Sequence, residues 1–247
     1  MEKVMVVTGA GRGIGAACAR LGAAQGYKVC VNYARNRAAA DAVVAQIAGA
    51  GGHAIAVQAD VADPAQVHRL FETVDARLGR LTALVNNAGI SGALKPVEDL
   101  ERPDLDEVFG LNVYGLFSCC AQAVKRMSTR HGGRGGAIVN VGSIAARTGG
   151  LRGMVAYAAS KAAVDTFTLG LAKEVGREGI RVNCLRPGTT RTDIVAPLGA
   201  DVLAQIAVAT PLGRLGDTEE IAEGILFLLS DKASYVHGAI YDVSGGR

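Results

Sequence analysis

Short runs of β-branched and apolar residues alternate with longer Ala-rich stretches along nearly the whole chain, and this alternation restricts what the chain can fold into. The spacing predicts strands over 4–8, 28–33, 54–58, 83–86, 137–141, 181–185 and 239–243. Between them it predicts helices over 14–25, from the second strand to about 49, and over 104–130, 155–176 and 218–230. Asp63-Pro64 reads as a helix N-cap followed by proline at the first helical position. The strand segments are almost continuously apolar rather than alternating, as expected where helices cover both faces of a parallel sheet. The expected class is therefore α/β, a doubly wound seven-stranded parallel sheet. No linker, repeat or low-complexity segment interrupts residues 1–247, so a single domain is expected.

Composition narrows the function. A net charge of +3 is small and evenly spread, which argues against a nucleic-acid or membrane surface. No apolar run reaches the length of a membrane span, and the strand-like MEKVMVVTG leaves no room for a signal peptide. The cysteines at 18, 30, 119, 120 and 184 include no CxxC pair and read as buried thiols in a reducing compartment. A cytoplasmic protein is expected. The four histidines stand apart from one another and from the cysteines, so no metal site is expected.

TGAGRGIG, residues 8 to 15, joins the first strand to the first helix. Gly9, Gly13 and Gly15 remove side chains where a diphosphate could approach the unpaired N–H groups of the helix start. An acidic residue at the end of the second strand would select the ribose hydroxyls of NAD. VNYARNR, residues 31 to 37, contains none there; Arg12, Arg35 and Arg37 are instead suited to a 2′-phosphate. NADP(H) is thus expected over NAD(H). Asp60, just past the third strand, is placed to accept from an adenine amino group, or to serve as an ordinary loop aspartate.

YAASK puts Tyr157 and Lys161 one helical turn apart on one face. Chance alone would give a chain of this composition roughly 0.17 such pairs. A phenol acting near pH 7 is about three pH units, or 4 kcal/mol, from its ordinary pKa. An ammonium about 4 Å away supplies about as much at an effective dielectric of 20. Ser143 ends the fifth strand, where a hydroxyl could polarise a carbonyl. Asn112 falls inside the expected 104–130 helix, where an amide is mildly unfavourable and hints at a role such as holding a water beside Lys161.

Together these motifs resemble the short-chain dehydrogenase/reductases, along essentially the whole chain. TGAGRGIG resembles the family's cofactor loop, NNAG at 86 to 89 its fourth-strand motif, and YAASK its active-site motif. PGTTRT, Pro187 to Thr192, is similar to the segment that touches the nicotinamide, although Thr190 stands where an aliphatic residue is usual. The resemblance implies a Rossmann fold and a catalytic tetrad of Asn112, Ser143, Tyr157 and Lys161. In it Tyr157 exchanges the proton, Ser143 holds the substrate oxygen, Lys161 binds the ribose and lowers the tyrosine pKa, and Asn112 supports a proton relay. It further implies cofactor contacts from Gly9, Arg12, Gly13, Ile14, Gly15, Tyr33, Arg35, Asp60, Val61, Asn87, Ala88, Gly89, Tyr157, Lys161, Pro187, Gly188, Thr190 and Thr192. The implied reaction is hydride transfer between the nicotinamide and a carbonyl or secondary alcohol in a homotetramer packed through the two long helices and the last strand. The nearest subgroups are 3-oxoacyl-carrier-protein reductase-like and sugar-dehydrogenase-like enzymes.

The substrate itself is not encoded so plainly. It is expected under residues 191–216 and against 90–97 and 144–154, loops of mostly small and apolar residues. Arg147 and Arg152 could meet an anionic substrate or simply be solvated. Lys125, Arg126, Arg130 and Arg134 form a basic stretch that could receive an acyl carrier protein, or could be cations favoured at a helix C-terminus.

Overall fold

A computed structural model describes residues 2–247. Seven strands make one all-parallel sheet: β1 (Lys3–Val7), β2 (Tyr27–Tyr33), β3 (His53–Gln58), β4 (Ala83–Asn86), β5 (Gly136–Val141), β6 (Ile180–Pro187) and β7 (Ile240–Val243), in the order β3-β2-β1-β4-β5-β6-β7. The order reverses between β1 and β4, so the loops leaving those two strands diverge and open a crevice at the strands' C-terminal ends.

The helices are α1 (Gly13–Ala24), α2 (Arg37–Gly49), α3 (Pro64–Arg77), α4 (Arg102–Phe109), α5 (Leu116–Met127), α6 (Ala145–Thr148), α7 (Val155–Val175), α8 (Ala200–Ala209) and α9 (Thr218–Leu229). Their starts follow local chemistry. Asp63 Oδ1 accepts from the backbone N–H groups of Ala65 and Gln66 ahead of α3, with Pro64 at its first position. Glu101 with Asp104, and Asp217 with Glu220, form capping boxes on α4 and α9.

Strand residues alternate between two cores. Val4 and Val6 of β1 face the layer of α3, α5 and α7, beside Leu70, Phe71, Leu116 and Val164. Met5 and Val7 face α1, α2 and α9, beside Ala17, Val43, Ile221 and Ile225. Amides also cross the interior. Asn86 of β4 is in register with Asn140 of β5 and donates to its Oδ1 at 2.9 Å, and Asn140 donates to Thr168 Oγ1 of α7 at 2.9 Å.

The expected helix over 104–130 is a correction. It is two α-helices joined by a π-helical segment, Gly110–Gly115, and Asn112 lies in that segment. The extra residue per turn cannot be read from apolar spacing. α6 and α8 were also unanticipated: one is a single turn, and the other is apolar on nearly all sides and carries no period.

Candidate active site

The glycine loop sits in the crevice between β1 and β4, wired by side chains from β2 and from the residues just after β1 and β4. Asn32 of β2 is buried; its Oδ1 accepts from Gly9 N at 3.2 Å, and its Nδ2 donates to the carbonyls of Val57 and Ala59. Thr8 Oγ1 accepts from the N–H groups of Asn87 and Ala88, each at 3.0 Å. Asn87 Nδ2 returns the contact to the carbonyls of Thr8 and Gly9 at 2.9 and 3.1 Å. A Cβ on Gly15 would stand 2.6 Å from both Asn87 Nδ2 and Gly9 O, and Gly9 and Gly13 hold φ of +62° and +55°. No side chain caps α1, whose N-cap is Arg12, so its first N–H groups face the crevice without a protein acceptor from the cap. This is a cradle with the dimensions and polarity for a dinucleotide diphosphate.

Asn32 was not anticipated as part of this cradle. Its signal was an amide in the middle of an apolar strand, VCVNY, which only a hydrogen-bonding duty makes tolerable.

Across the crevice, Ser143 lies beside the Tyr157 phenol, close enough to lower its pKa. Ser143 Oγ also accepts from Ala145 N at 3.1 Å, which fixes it at the mouth of β5. Lys161, one turn along α7 from Tyr157, is buried; its Nζ donates to Val141 O at 2.8 Å and lies 5.8 Å from the centre of the Tyr157 ring. Burial lowers its pKa from 10.5 to about 8, against the pull of Cys184 and Asp165. Burial raises the Tyr157 pKa, and the neighbouring Ser143 pulls it back down. Lys161 is not among the groups that shift the Tyr157 pKa. The ammonium is turned to a carbonyl and weakened by its own desolvation.

Asn112 is a brace. Its Oδ1 accepts from Ile90 N at 2.9 Å, and its Nδ2 donates to Ile90 O at 2.9 Å and to Ser160 Oγ at 3.0 Å. Ser160 donates in turn to Tyr157 O at 2.7 Å. The π-helical segment thereby pins both the loop after β4 and the helix carrying Tyr157. The amide expected to hold a water is committed to protein groups. Ser160 lies within YAASK, where a serine inside an Ala-rich turn is its only sequence signal. Gly89 lies where a Cβ would come within 3.1 Å of Asn112 Oδ1 and 3.5 Å of Lys161 Nζ, so its hydrogen keeps the crevice floor open.

Other expected contacts line the same crevice. Thr192 approaches the glycine loop, since a Cβ on Gly13 would lie 3.4 Å from its Cγ2. Thr190 is buried and donates to Gly188 O at 3.0 Å, and Gly188, following Pro187, is clamped beside Ser244. Asp60 Oδ1 accepts from Ala62 N at 3.0 Å at the end of β3, and Val61 is buried against Gly115. Ile14 opens α1, and Tyr33, half-buried, ends β2. The three arginines fare differently. Arg12 pairs with Asp193 at 3.1 Å and Arg37 with Asp41 at 3.3 Å, while Arg35 is exposed without a carboxylate partner among the described residues. A cavity of about 850 Å³ lies elsewhere: it opens at the strands' N-terminal ends among Lys3, Tyr27, Arg80, Arg134 and Arg181.

The profile of the family described as Enoyl-(Acyl carrier protein) reductase matches residues 9–247. The chain belongs to the short-chain dehydrogenase/reductases. Among curated members it is 48% identical over 245 residues to the uncharacterized oxidoreductase YgfF of Escherichia coli K12, covering 99% of each chain. It is 42% identical to a 3-oxoacyl-[acyl-carrier-protein] reductase of Synechocystis, covering 99% of this chain and 96% of that one. Among solved structures it is similar to a short-chain dehydrogenase from Burkholderia cenocepacia in complex with NADP, with a TM-score of 0.91, 37% identity and coverage of 99% and 97%. It is similar too to a 7α-hydroxysteroid dehydrogenase complexed with NADH and 7-oxo glycochenodeoxycholic acid, with a TM-score of 0.92, 35% identity and coverage of 99% and 93%. Family membership makes the chain an oxidoreductase that uses a nicotinamide cofactor. No helix among the described residues is long and apolar enough to cross a membrane.

Proposed function

We propose that the protein is an NADP(H)-dependent carbonyl reductase in which Tyr157 exchanges the proton at the substrate oxygen. The observation that carries this reading is the placement of Ser143 beside the Tyr157 phenol, with buried Lys161 one helical turn away and its Nζ 5.8 Å from the phenol ring, across the crevice from the glycine cradle. When bound, the nicotinamide supplies or accepts the hydride at the carbonyl carbon. Gly9, Gly13, Gly15 and the start of α1 hold the diphosphate. Asp60 and Val61 flank the adenine, and Asn87, Ala88, Gly89 and the 187–192 segment line the nicotinamide half. Arg12 and Arg35 receive the 2′-phosphate, and for Arg12 this means exchanging Asp193 for the phosphate.

Ser143 Oγ donates to the substrate oxygen while Tyr157 transfers its proton to it, so negative charge never accumulates there. A phenol raised by burial is protonated at neutral pH, and the protein's own groups therefore favour reduction. Oxidation of the alcohol needs the phenolate and belongs to alkaline pH. Asn112 and Ser160 hold the phenol's helix in place rather than passing the proton through the amide.

The substrate is a small ketone or a 3-oxoacyl thioester. The basic stretch gives limited support to carrier-protein docking, because Arg126 is already paired with Asp75 and Arg130 lies 3.9 Å from Glu178. Exposed Tyr114, Phe117 and Leu169 on the π-helical segment, α5 and α7 suit packing against further copies, in line with a homotetramer. The five free, buried cysteines suit a reducing, cytoplasmic setting.

The test is NADPH oxidation with a panel of ketones, diketones, quinones and acyl thioesters, alongside NADPH and NADH fluorescence titrations. Tyr157→Phe should keep cofactor affinity and lose turnover by about 10²–10⁴-fold. Turnover at the parental rate in that variant would overturn the assignment. Equal affinity for the two cofactors would overturn the NADP preference alone.

A further inference from the structure

A buried acid and base lie directly beneath the catalytic segment and take no part in the chemistry above. Asp165 is one turn beyond Lys161 on the same face of α7. Its Oδ2 accepts from Arg186 Nε at 3.0 Å and from a terminal Arg186 nitrogen at 2.7 Å, and Cys184 Sγ lies 3.3 Å from its Oδ1. The two side chains are only 10% and 17% exposed. We propose that Asp165, gripped by Arg186, is a positioning residue that sets the placement and charge of Lys161 and the seat of Ser143 through Gly142. This rests on the catalytic reading given above.

The geometry is specific to Gly142. A Cβ built there would stand 2.7 Å from Cys184 Sγ, 3.2 Å from Arg186 Cγ and 3.3 Å from Asp165 Oδ1. Gly142 follows Val141, whose carbonyl receives the Lys161 ammonium, and precedes Ser143, whose hydroxyl meets Tyr157. The cluster therefore supports the one residue that links both catalytic contacts. The support extends to the far end of the segment. Asp242 of β7 lies 3.5 Å from Arg186 and 3.5 Å from Arg147 of α6, the helix that begins two residues after Ser143. An acid–base chain thus brackets residues 142–148 from below and behind. Stability alone explains such a chain poorly, because burying an ion pair returns little net free energy.

The charges act on Lys161 as well. Facing it are Tyr157 and Asp165 from α7 and Cys184 from β6, with Arg186 of β6 behind Asp165, while the β4 loop and the π-helical segment bring only uncharged Gly89 and Asn112. Cys184 and, after it, Asp165 favour the ammonium, and Arg186, paired with Asp165 at 2.7 Å, carries the opposite charge. Removing the acid and removing the base must therefore move Lys161 in opposite directions.

The experiment is the pH dependence of kcat/KM for ketone reduction in Asp165→Asn, Arg186→Met and the double variant, with thermal unfolding recorded in parallel. The alkaline limb, where the Lys161–Tyr157 pair loses its proton, should move down in Asp165→Asn and up in Arg186→Met, each by roughly 0.5–1 pH unit. In the double variant it should lie between the two. Should Arg186→Met not fold, Asp165→Asn against the double variant gives the same comparison, with the single variant's limb below the double's. Limbs that stay put, or move the same way, overturn the proposal, because a merely structural role lowers kcat and melting temperature without separating them. A dead Tyr157→Phe with unmoved limbs sinks only this proposal, whereas an active Tyr157→Phe sinks the catalytic reading itself.

Discussion

Replacing Lys161 by methionine should stabilise the protein at neutral pH while removing its activity. The side chain is buried, and its pKa falls from 10.5 to about 8. At 1.36 kcal/mol per pH unit, the difference corresponds to a folding penalty of roughly 3 kcal/mol whenever the lysine must be charged. Methionine keeps the aliphatic stem but strands the Val141 carbonyl, which otherwise accepts from Nζ at 2.8 Å. Losing that contact gives back about 1 kcal/mol, leaving a net gain of about 2 kcal/mol. The gain depends on pH. Between about 8 and 10.5 the unfolded chain binds the extra proton, so the parent grows more stable as pH rises and the penalty fades. The variant's advantage is therefore complete below pH 8 and gone, or slightly reversed, near 10.5. Urea unfolding at pH 7 and pH 10 with matched slopes measures it, and melting at pH 7 should rise by about 4–8 °C. A variant less stable than the parent at pH 7, or a gap unchanged between the two pH values, would refute the reasoning.

Three further perturbations probe other parts of the structure. Asn32→Leu removes the acceptor for Gly9 N and the donor to Val57 O and Ala59 O, so stability should fall by about 2–4 kcal/mol and the NADPH Kd should rise more than the substrate KM. Gly15→Ala forces a methyl to 2.6 Å from Asn87 Nδ2 and Gly9 O, and a fluorescence titration should show cofactor affinity reduced at least tenfold. Arg181→Met strips the donor from the carbonyls of Leu228, Leu229 and Ser230 at the end of α9, so melting should drop while kcat at saturating cofactor stays parental.

The sheet, its parallel sense and its seven strands were legible because buried strands repeat the same apolar composition and are separated by capped, Ala-rich helices. Asp63-Pro64 marked its helix start to the residue. Tyr157 and Lys161 were legible as a pair from their one-turn spacing, Ser143 joined them only through the family resemblance, and the structure brings the three together. What escaped were contacts between distant segments. The bracing by Asn112 depends on a π-turn, which has no residue signature, and on Ile90, 22 positions away. The pairing of Arg12 with Asp193 joins residues 181 positions apart in two loops that nothing local associates. The Lys161 pKa could not be anticipated either, because desolvation is a property of what the other elements pack around a side chain, and sequence distance to its neighbours does not report it.

The file of interior amides from β4 through β5 to α7 acts as a vernier between those elements. Sliding β5 by two residues would set the Asn86 amide against Ile138 or Gly142, and a slip of one would turn it to the other side. Either displacement buries an unmatched amide at about 1–3 kcal/mol, on top of an Asn86 oxygen that already lacks a partner. Because Thr168 terminates that file and shares its helix with Tyr157 and Lys161, the same notch that indexes two strands also sets where the Tyr157 phenol stands.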